Sequence, residues 1–400
     1  MNDLAGASAT TTQDDAAACL ARARALIPLL REAATEIDAK CELPPRVLDS
    51  MHAARLFKLL LPRSVGGFEL KPVEYVQCVE AIAEGDASAA WCMNQGSGCT
   101  TAAAYIAPEV AGEVFSGARD VLAWGQGPGA KAIRVEGGWR VTGSWTFASG
   151  HRHATWLGAN CPGYQADGTP ILKPDGKPWE RTHLFPHDKA RIRDDWQVMG
   201  LRGTGSDTYI IEDLFIDDAH SLTRESPMER REQGPLYRFQ AMQLYAAGFA
   251  SVGLGVARAM LDAFIDLAKT KSQAWHSEKL RDNNAVQHLI GYSDASWRAA
   301  RAGLHRALVE AWDDVATGVE LSLHHKIRIR EAATFAIHAA RDICHHVFHE
   351  AGSTAIFDKY PFERRLRDMN SVSQQTQGRR THFETIGTYL LGGEPDLRWL

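Results

Sequence analysis

The sequence has few cysteines, no strong charge imbalance and none of the short motifs of the common nucleotide-binding folds. Its seven cysteines are scattered from Cys19 to Cys344 without a C-x-x-C pair, which is typical of reduced thiols rather than of a disulfide framework. A formal net charge of -5 provides no field for holding nucleic acid or an anionic membrane. The absence of G-x-G-x-x-G, G-x-S-x-G and P-loop patterns argues against Rossmann, serine-hydrolase and P-loop functions.

The N-terminal stretch MNDLAGASATTTQDD has neither a basic region nor an apolar region, so we expect no signal peptide. One uncharged run, from Phe239 to Ala257, has the length of a membrane span. It contains Gln240, Gln243 and Ser251, and we therefore expect a helix buried in a bundle. These features predict a cytoplasmic protein.

Helical, strand-like and again helical patterns follow one another along the chain. Before about residue 118, apolar residues recur at helical spacing, and Asp86 is a candidate helix cap. From about 119 to 225, β-branched and aromatic residues alternate, and Gly137-Gly138 is typical of a hairpin turn. We predict an N-terminal helical domain (1–118), a β domain (119–230) and a C-terminal helical bundle (231–400).

Four segments, in this order, resemble the acyl-CoA dehydrogenase superfamily over nearly the whole chain. LPPRVLDSMHAARLFKLLLPRSVGGFEL with EAIAEGDASAAW resembles its N-terminal helical domain, and GGWRVTGSWTFASG resembles its flavin loop. DDWQVMGLRGTGSDTYIIEDLFI resembles the strand that closes its β-barrel, and EAGSTAIFDKYPFERRLRD resembles the late segment that reaches a neighbouring subunit's flavin. The resemblance implies a mostly helical α+β fold, with an N-terminal helical domain, a small central β-barrel and a C-terminal four-helix bundle. It also implies assembly into dimers or tetramers.

The segment that resembles the flavin loop offers apolar and hydroxyl groups on one turn. A flavin needs apolar surroundings at its dimethylbenzene edge and polar groups at its N5 and pyrimidine edge. The resemblance implies that Trp145, Thr146, Phe147 and Ser149 bind the flavin. An alternative stays open in which Trp145 and Phe147 only fill the barrel core.

Further flavin contacts are implied by the resemblance at more distant positions. Arg202, Thr204 and Ser206 belong to a glycine-rich turn, for which ordinary turn chemistry is the alternative. Lys271 stands where the family often has an arginine that meets the partner's flavin phosphates, although a surface lysine would fit the sequence equally well. Ser353 belongs to the late segment that resembles the intersubunit flavin contact.

The catalytic carboxylate of the dehydrogenases is missing from the two positions where the family places it. That chemistry needs a general base to remove an α-proton from the acyl thioester. In most of the family this base follows shortly after an Arg-Asp pair of the late helix. Counting the same distance from Arg367-Asp368 leads to Thr376, in a stretch without acidic residues. The second known position lies on the first C-terminal helix. No glutamate occurs between Glu232 and Glu278, and Asp262 and Asp266 fall well beyond the expected point.

One branch of the superfamily that lacks this base resembles the chain in WTFASGHRH: the oxygenase components of two-component flavin-dependent monooxygenases. These proteins take reduced flavin from a separate NAD(P)H flavin reductase and oxygenate an aromatic ring through a C4a-hydroperoxyflavin. The resemblance implies reduced FAD as co-substrate, with FMN as the alternative flavin. It also implies that Ser149 lies near flavin N5 and that His153 makes polar contacts at the site.

Phenol-hydroxylating members of this branch resemble one another in two histidines that deprotonate the substrate. At the corresponding spacing after Trp91 this chain has Cys99, and at the corresponding spacing after Asp368 it has Gln374 and Gln375. Glutamine forms hydrogen bonds but cannot accept a proton at neutral pH. We therefore expect an electron-rich, indole-like aromatic substrate that Gln374 and Gln375 orient.

Three other functions stay open at this point. The first is an FAD-dependent acyl-CoA dehydrogenase with a base at an unusual position, and the second is a non-catalytic relative without flavin affinity. The third is a metal site among His338, Cys344, His345, His346 and His349. A di-iron bundle would need Glu-x-x-His pairs on helices, and the one match, Glu180 to His183, lies among strand-like residues.

Overall fold

The computed structural model describes residues 4–224, 226–272, 278–398 and 400, with side-chain environments from residue 15 onward. The helices that precede the sheet are α1 (Leu4–Ala25), α2 (Ile27–Lys40), α3 (Pro45–Ala53), α4 (Pro72–Gly85), α5 (Ala87–Thr100) and α6 (Pro108–Phe115). The predicted cap is confirmed, because the Asp86 carboxylate accepts a hydrogen bond of 2.9 Å from the Ala89 amide at the start of α5. This fixes the start of a helix whose residues are almost all buried.

The strands are β1 (Leu122–Trp124), β2 (Lys131–Val135), β3 (Gly138–Trp145), β4 (Trp156–Tyr164), β5 (Glu180–Pro186), β6 (Arg191–Arg193), β7 (Thr208–Asp217) and β8 (Ser221–Leu222). They form a sheet in the order β6-β7-β3-β2-β4-β5-β8, and β1 joins β4 in parallel. The predicted hairpin connects β2 and β3, where Val135 pairs with Gly138 and Gly137 adopts a positive φ of 72°.

The sheet curls around a core of its own. The Tyr209 hydroxyl on β7 donates a 2.6 Å hydrogen bond to the Gly158 carbonyl on β4, although these two strands are not neighbours in the sheet. Tyr209 also stacks on Trp145 at 5.4 Å and lies 6.2 Å from the ring of Phe185 on β5. Contacts between strands that do not pair are the mark of a small barrel whose interior is filled by side chains.

The helices after the sheet are α7 (Ala241–Thr270), α8 (Asn284–Val315), α9 (Leu323–Ala351), α10 (Phe362–Gln374) and α11 (Thr381–Leu390). The length and apolar composition of α7 would allow a membrane crossing, but 89% of its apolar window is buried inside the protein. It packs against α4 and α5 on one side and against α9 on the other. The expectation of a buried bundle helix is thus confirmed.

Two glycines allow α5 and α7 to pack in close contact. A Cβ atom on Gly98 would lie 2.5 Å from the Tyr245 ring, and one on Gly248 would lie 1.7 Å from the side-chain oxygen of Asn94. Side chains at these two positions would force the helices apart. The order of helices, strands and helices confirms the predicted fold class, while the domain boundaries at 118 and 230 stay a prediction. Residues 1–3, 225, 273–277 and 399 of those predicted domains lie outside the described residues.

Candidate active site

A buried row of hydroxyl groups lies behind the turn that follows β3. Ser149 Oγ is 2.7 Å from Ser206 Oγ, and Ser206 Oγ is 2.6 Å from Thr204 Oγ1. Thr204 Oγ1 donates to the Leu201 carbonyl at 2.8 Å, and Trp91 Nε1 donates to Ser149 Oγ at 3.0 Å. We call Ser149, Ser206 and Thr204 the hydroxyl row.

The hydrogen bonds of the hydroxyl row have one direction. Each hydroxyl has a single hydrogen, and that of Thr204 is donated to a carbonyl oxygen, which can only accept. Thr204 therefore accepts from Ser206, and Ser206 in turn accepts from Ser149. The indole of Trp91, a donor only, supplies Ser149 with its first hydrogen bond. Ser149 is left with a spare lone pair and no spare hydrogen, so it is set to accept from a ligand.

Aromatic rings from α5 and α7 extend from this hydroxyl row. The rings of Trp91 and Phe249 lie 4.0 Å apart, and those of Phe249 and Tyr245 lie 5.8 Å apart and nearly parallel. The Tyr245 hydroxyl reaches the Cys99 sulfur at 3.4 Å. Burial raises the pKa of Tyr245, so its hydroxyl stays protonated at neutral pH. We call Trp91, Phe249 and Tyr245 the aromatic row, a line of largely buried rings that begins at Ser149.

An ionised aspartate holds the flavin-loop segment from the other side. The Asp207 carboxylate accepts from His151 Nε2 and from Arg152 Nε, both at 2.8 Å, and its backbone carbonyl accepts from the Ala148 amide. Burial alone would raise the pKa of Asp207, but the bonds from Arg152 and His151 outweigh burial and lower it. Burial lowers the pKa of His151 despite its contact with Asp207. These hydrogen bonds fix the backbone of the turn without using the hydroxyl group of Ser149.

The predicted site residues of the turn itself divide into core and exposed positions. The Trp145 side chain is fully buried in the barrel core and donates to the Asn160 carbonyl at 3.1 Å, so only its backbone is available to a flavin. Phe147, in contrast, has a positive φ of 57° and is 61% exposed, with the ring of Trp196 edge-on at 6.0 Å. Thr146 is half-buried, and its hydroxyl donates to the Gln126 carbonyl.

These positions fit a flavin ring. A flavin needs uncovered apolar surface and hydroxyl or backbone polar groups close together. Phe147 supplies an exposed ring, and Met199, three residues after Trp196, is also largely exposed. Ser149 supplies a spare acceptor two residues after Phe147. The turn could therefore hold a flavin with Phe147 and Thr146 at its edge and Ser149 at a ring N–H group.

His153 lies inside the protein beneath this turn. Its Nε2 atom has no hydrogen-bond partner among the described residues, and its ring lies 5.3 Å from that of Phe57. Burial lowers the pKa of His153 to about 3, so the ring is neutral at physiological pH. With Arg152 and Thr204 it lines a cavity of about 180 Å³. His153 is thus suited to hydrogen bonding and unsuited to act as an acid.

The remaining predicted flavin contacts lie apart from the turn or are engaged within the protein. Arg202 donates to the carbonyl groups of Asp38 and Val198, at 3.0 and 3.1 Å, which agrees with ordinary turn chemistry. Lys271 Nζ donates to the Ala351 carbonyl at 2.8 Å, near the exposed Ser353. Lys271 and Ser353 are therefore neighbours at the C-terminal end of α9, and their roles toward a flavin stay predictions.

Gln374 and Gln375 end α10 without touching the hydroxyl row. Gln374 is exposed, and the half-buried Gln375 side chain accepts from the Gln377 amide at 2.6 Å. The helix is nevertheless connected to the glycine-rich turn, because the Asp368 carboxylate accepts from the Leu201 amide at 2.7 Å. The carbonyl of Leu201 is the acceptor at the end of the hydroxyl row. Hydrogen bonds through Leu201 therefore connect α10 to Ser149.

Two histidines of α9 form hydrogen bonds with ordinary polar partners. His338 Nε2 contacts the Gly378 carbonyl at 3.0 Å, and His345 Nε2 contacts the Asn370 side-chain oxygen at 3.0 Å. Within the part of the chain that the structure describes, no three His, Cys, Asp or Glu residues are grouped closely enough to hold a metal ion.

The burial of Asp368 predicts an unusual pH dependence of stability. Burial raises the pKa of Asp368 to about 7, although Arg364 opposes this shift. Between about pH 4 and pH 7 the folded protein then keeps a proton that the unfolded chain has lost, so its stability falls as the pH rises. Asp368→Asn should remove this dependence while retaining an acceptor for Leu201.

Urea unfolding of both proteins at pH 5 and pH 8 measures the effect. The stability of the unmodified protein relative to Asp368→Asn should drop by roughly 2 kcal/mol between these two pH values, at about 1.4 kcal/mol per pKa unit. If the difference in unfolding free energy between the two proteins were the same at pH 5 and pH 8, Asp368 would already be ionised at pH 5.

The residues that sequence reasoning missed are those of the aromatic row and Arg224, whose guanidinium carbon lies 4.2 Å from the centre of the Trp124 ring. Trp91 served only as a reference point for counting to Cys99, and Tyr245 and Phe249 lie within the uncharged run from Phe239 to Ala257, which has no distinguishing motif. The two closely approaching glycines, Gly98 and Gly248, were the available sequence signal. Their meaning depends on which helices pack together, and this is not visible in the pattern of either helix.

The most similar characterised proteins include flavin-dependent monooxygenases of similar length. The chain is 26% identical over 361 residues to indole-3-acetate monooxygenase from Pseudomonas putida, with 90% of each chain covered. It is also 26% identical to the flavin-dependent monooxygenase oxygenase subunit HsaA from Rhodococcus jostii, covering 88% of this chain and 92% of the relative.

Solved structures and family models agree on the fold. XiaF from Streptomyces sp., solved in complex with FADH2 and glycerol, superposes with a TM-score of 0.89 at 23% identity, covering 98% of this chain and 99% of the other. The family model of the acyl-CoA dehydrogenase N-terminal domain matches residues 17–109, and that of the C-terminal domain matches residues 247–377. Together these two matches cover more than half of the protein, which therefore belongs to the acyl-CoA dehydrogenase family.

Proposed function

We propose that this protein is the oxygenase component of a two-component flavin-dependent monooxygenase, with an electron-rich, indole-like aromatic compound as substrate. Its co-substrates are O2 and reduced FAD from a separate NAD(P)H flavin reductase, with FMN as the alternative flavin. The characterised relatives, among them indole-3-acetate monooxygenase and an HsaA oxygenase subunit, support this class. We also propose a cytoplasmic location.

The observation that carries the proposal is the meeting of the hydroxyl row and the aromatic row at Ser149. The Trp91 indole belongs to both, because its N–H group donates to Ser149 while its ring packs on Phe249. A flavin bound at the turn would therefore lie beside an apolar wall that is suited to a flat aromatic ring.

Each group has a distinct task in this reaction. Bound reduced flavin supplies the two electrons with which O2 is split, so that one oxygen atom enters the substrate and the other leaves as water. Ser149 holds the flavin through its spare acceptor, and the aromatic row orients the substrate and excludes water. Water exclusion matters because a wet site would release hydrogen peroxide instead of product.

The dehydrogenase alternative is not favoured. Between Asp368 and Glu384 the sequence contains no carboxylate, and the Asp368 side chain is buried and bonded to the Leu201 amide. An α-proton of an acyl thioester therefore has no base at the position that the family uses. An electron-rich ring needs no such base, because it attacks electrophilic oxygen directly.

Exposed apolar side chains on the C-terminal helices support a homo-oligomer. They include Phe335 on α9, Ile356 and Phe357 after it, and Phe383 and Leu390 on α11. Large exposed apolar residues grouped on neighbouring elements are typical of surfaces that bind another protein. We propose a dimer or tetramer, to be distinguished by light scattering.

Oxygen-isotope labelling tests the proposed function. The protein is mixed anaerobically with reduced FAD and indole, and ¹⁸O2 is then admitted. We expect one ¹⁸O atom per oxygenated product, and faster loss of reduced FAD than without protein. A parallel sample contains oxidised FAD and an acyl-CoA thioester without O2. Bleaching of that sample, together with unlabelled indole, would return the dehydrogenase function to first place.

A further inference from the structure

An arginine, Arg224, lies beside the aromatic row. The Arg224 guanidinium carbon is 4.2 Å from the centre of the Trp124 ring, and the side chain is half-buried. It makes no hydrogen bond and has no carboxylate within 4.0 Å among the residues that the structure describes. Other half-buried arginines of the chain, such as Arg181 and Arg258, each hold a carboxylate.

Three contacts place Arg224 at the far end of the aromatic row from Ser149. Gln95 Nε2 lies 3.5 Å from the Trp124 carbonyl and 3.7 Å from the Cys99 sulfur, which in turn contacts the Tyr245 hydroxyl. Burial raises the pKa of Cys99 to about 12, and the positive charge of Arg224 is among the influences that oppose this rise. Arg224 also opposes the rise for Tyr245. The cation is thus close enough to act on the last ring of the row.

Stacking on an indole leaves the edge of a guanidinium available. The Arg224 guanidinium carbon lies over the Trp124 ring. A guanidinium that stacks on a ring uses its flat face and keeps the N–H groups in its plane free for other partners. This planar fork matches the two oxygen atoms of a carboxylate. A partly desolvated cation that holds no carboxylate of the described residues favours an anion from outside.

We propose that Arg224 binds the carboxylate of the substrate, so that the substrates are aromatic carboxylic acids whose ring lies along the aromatic row. The inference rests on the proposed function and specifies the substrate class of that same site. Ser149 and Arg224 then mark the two ends of the substrate position, the oxygenated ring at the first and the acid group at the second. Trp124 positions the guanidinium and need not touch the substrate.

Binding of matched acids and amides tests this proposal without turnover. Indole-3-acetate and indole-3-acetamide have nearly the same shape and differ in charge, and 4-hydroxyphenylacetate with its amide forms a second pair. Titration calorimetry should give at least roughly tenfold tighter binding of one of these acids than of its amide, as expected for a charge-assisted bidentate contact. Arg224→Gln should weaken binding of the acid by a similar factor and leave that of the amide within about twofold.

Two further variants separate charge from packing. Arg224→Lys keeps the charge but loses the fork, so it should restore only part of the preference for acids. Arg140→Gln is the matched control, because Arg140 also stacks on a ring, that of Phe215, but on the exposed face of the barrel. Binding of acid and amide should be unchanged in this control.

Each possible result decides the question. Equal binding of acid and amide to the unmodified protein, or equal weakening of both by Arg224→Gln, would overturn the proposal. Binding of neither ligand by a protein that still incorporates ¹⁸O into indole would overturn it while the oxygenase function stands. Failure of isotope incorporation with every aromatic compound would instead contradict the proposed function.

Discussion

Ser149→Ala is expected to reduce the yield of oxygenated product per O2 consumed by roughly tenfold, because it removes the hydroxyl that we propose to hold the flavin at the aromatic row. The missing oxygen should appear as hydrogen peroxide. Reduced FAD should also bind about three- to tenfold more weakly, which corresponds to one hydrogen bond. Product, peroxide and O2 consumption, measured together, give the coupling ratio, and anaerobic titration gives the affinity for reduced FAD.

The direction of the hydroxyl row makes this prediction specific for the redox state of the flavin. Reduced flavin has an N5–H donor, whereas N5 of oxidised flavin only accepts. Ser149 has an acceptor to spare because its own hydrogen is donated to Ser206. Ser206→Ala would release that hydrogen, so binding of oxidised FAD should tighten relative to reduced FAD. Ser149→Ala should affect mainly the reduced form.

A buried serine elsewhere provides the control. Ser293 on α8 is buried, and its hydroxyl oxygen has no partner among the described residues. Ser293→Ala should leave both the coupling ratio and the preference for reduced FAD unchanged. An unaltered coupling ratio in Ser149→Ala would contradict the role of Ser149, whereas equal loss in both variants would indicate a general effect of lost packing.

Local sequence patterns were sufficient to find the turn but not the wall of the site. The turn was recognisable because Trp145, Phe147 and Ser149 lie within five residues of one segment, which resembles the family's flavin loop. The alternation that singled out Trp145 and Phe147 did not reveal that one ring points into the barrel core and the other into solvent. A positive φ at Phe147 reverses the expected direction, and nothing in an aromatic residue predicts such a backbone conformation.

The site residues that escaped prediction depend on contacts between distant elements. Ser206 was assigned to a flavin contact, but its bonds to Ser149 and Thr204 require that two turns 57 residues apart meet. Arg224 stood in no motif, and its interest arises from its place beside Trp124 with no carboxylate of the described residues near it in space. Such relations are set by packing of whole helices on the barrel, whereas periodicity describes one element at a time.

A buried ion pair between α5 and α10 should be the largest single contribution to stability that a point substitution can expose. Asp86 Oδ2 and Arg364 Nη1 are 2.6 Å apart, and the Asp86 side chain is only 1% exposed. Asp86→Ala leaves a buried cation without its anion and also removes the cap of α5. Loss of one partner of a buried pair costs about 3–5 kcal/mol, and loss of a cap costs about 1 kcal/mol. Urea unfolding followed by circular dichroism measures the change.

Further variants separate the contribution of the ion pair from that of the helix cap. Asp86→Asn keeps the acceptor for the Ala89 amide and loses only the charge, so it should cost less than Asp86→Ala. Adding Arg364→Leu to Asp86→Ala removes the unpaired cation and should recover part of the loss, since apolar replacement of a buried pair is often neutral. Asp49→Ala is the control, because its pair with Arg119 is exposed and contributes below about 1 kcal/mol. If Asp86→Ala were no more harmful than Asp49→Ala, the joint between α5, which carries Trp91, and α10 would have to be maintained by apolar packing alone.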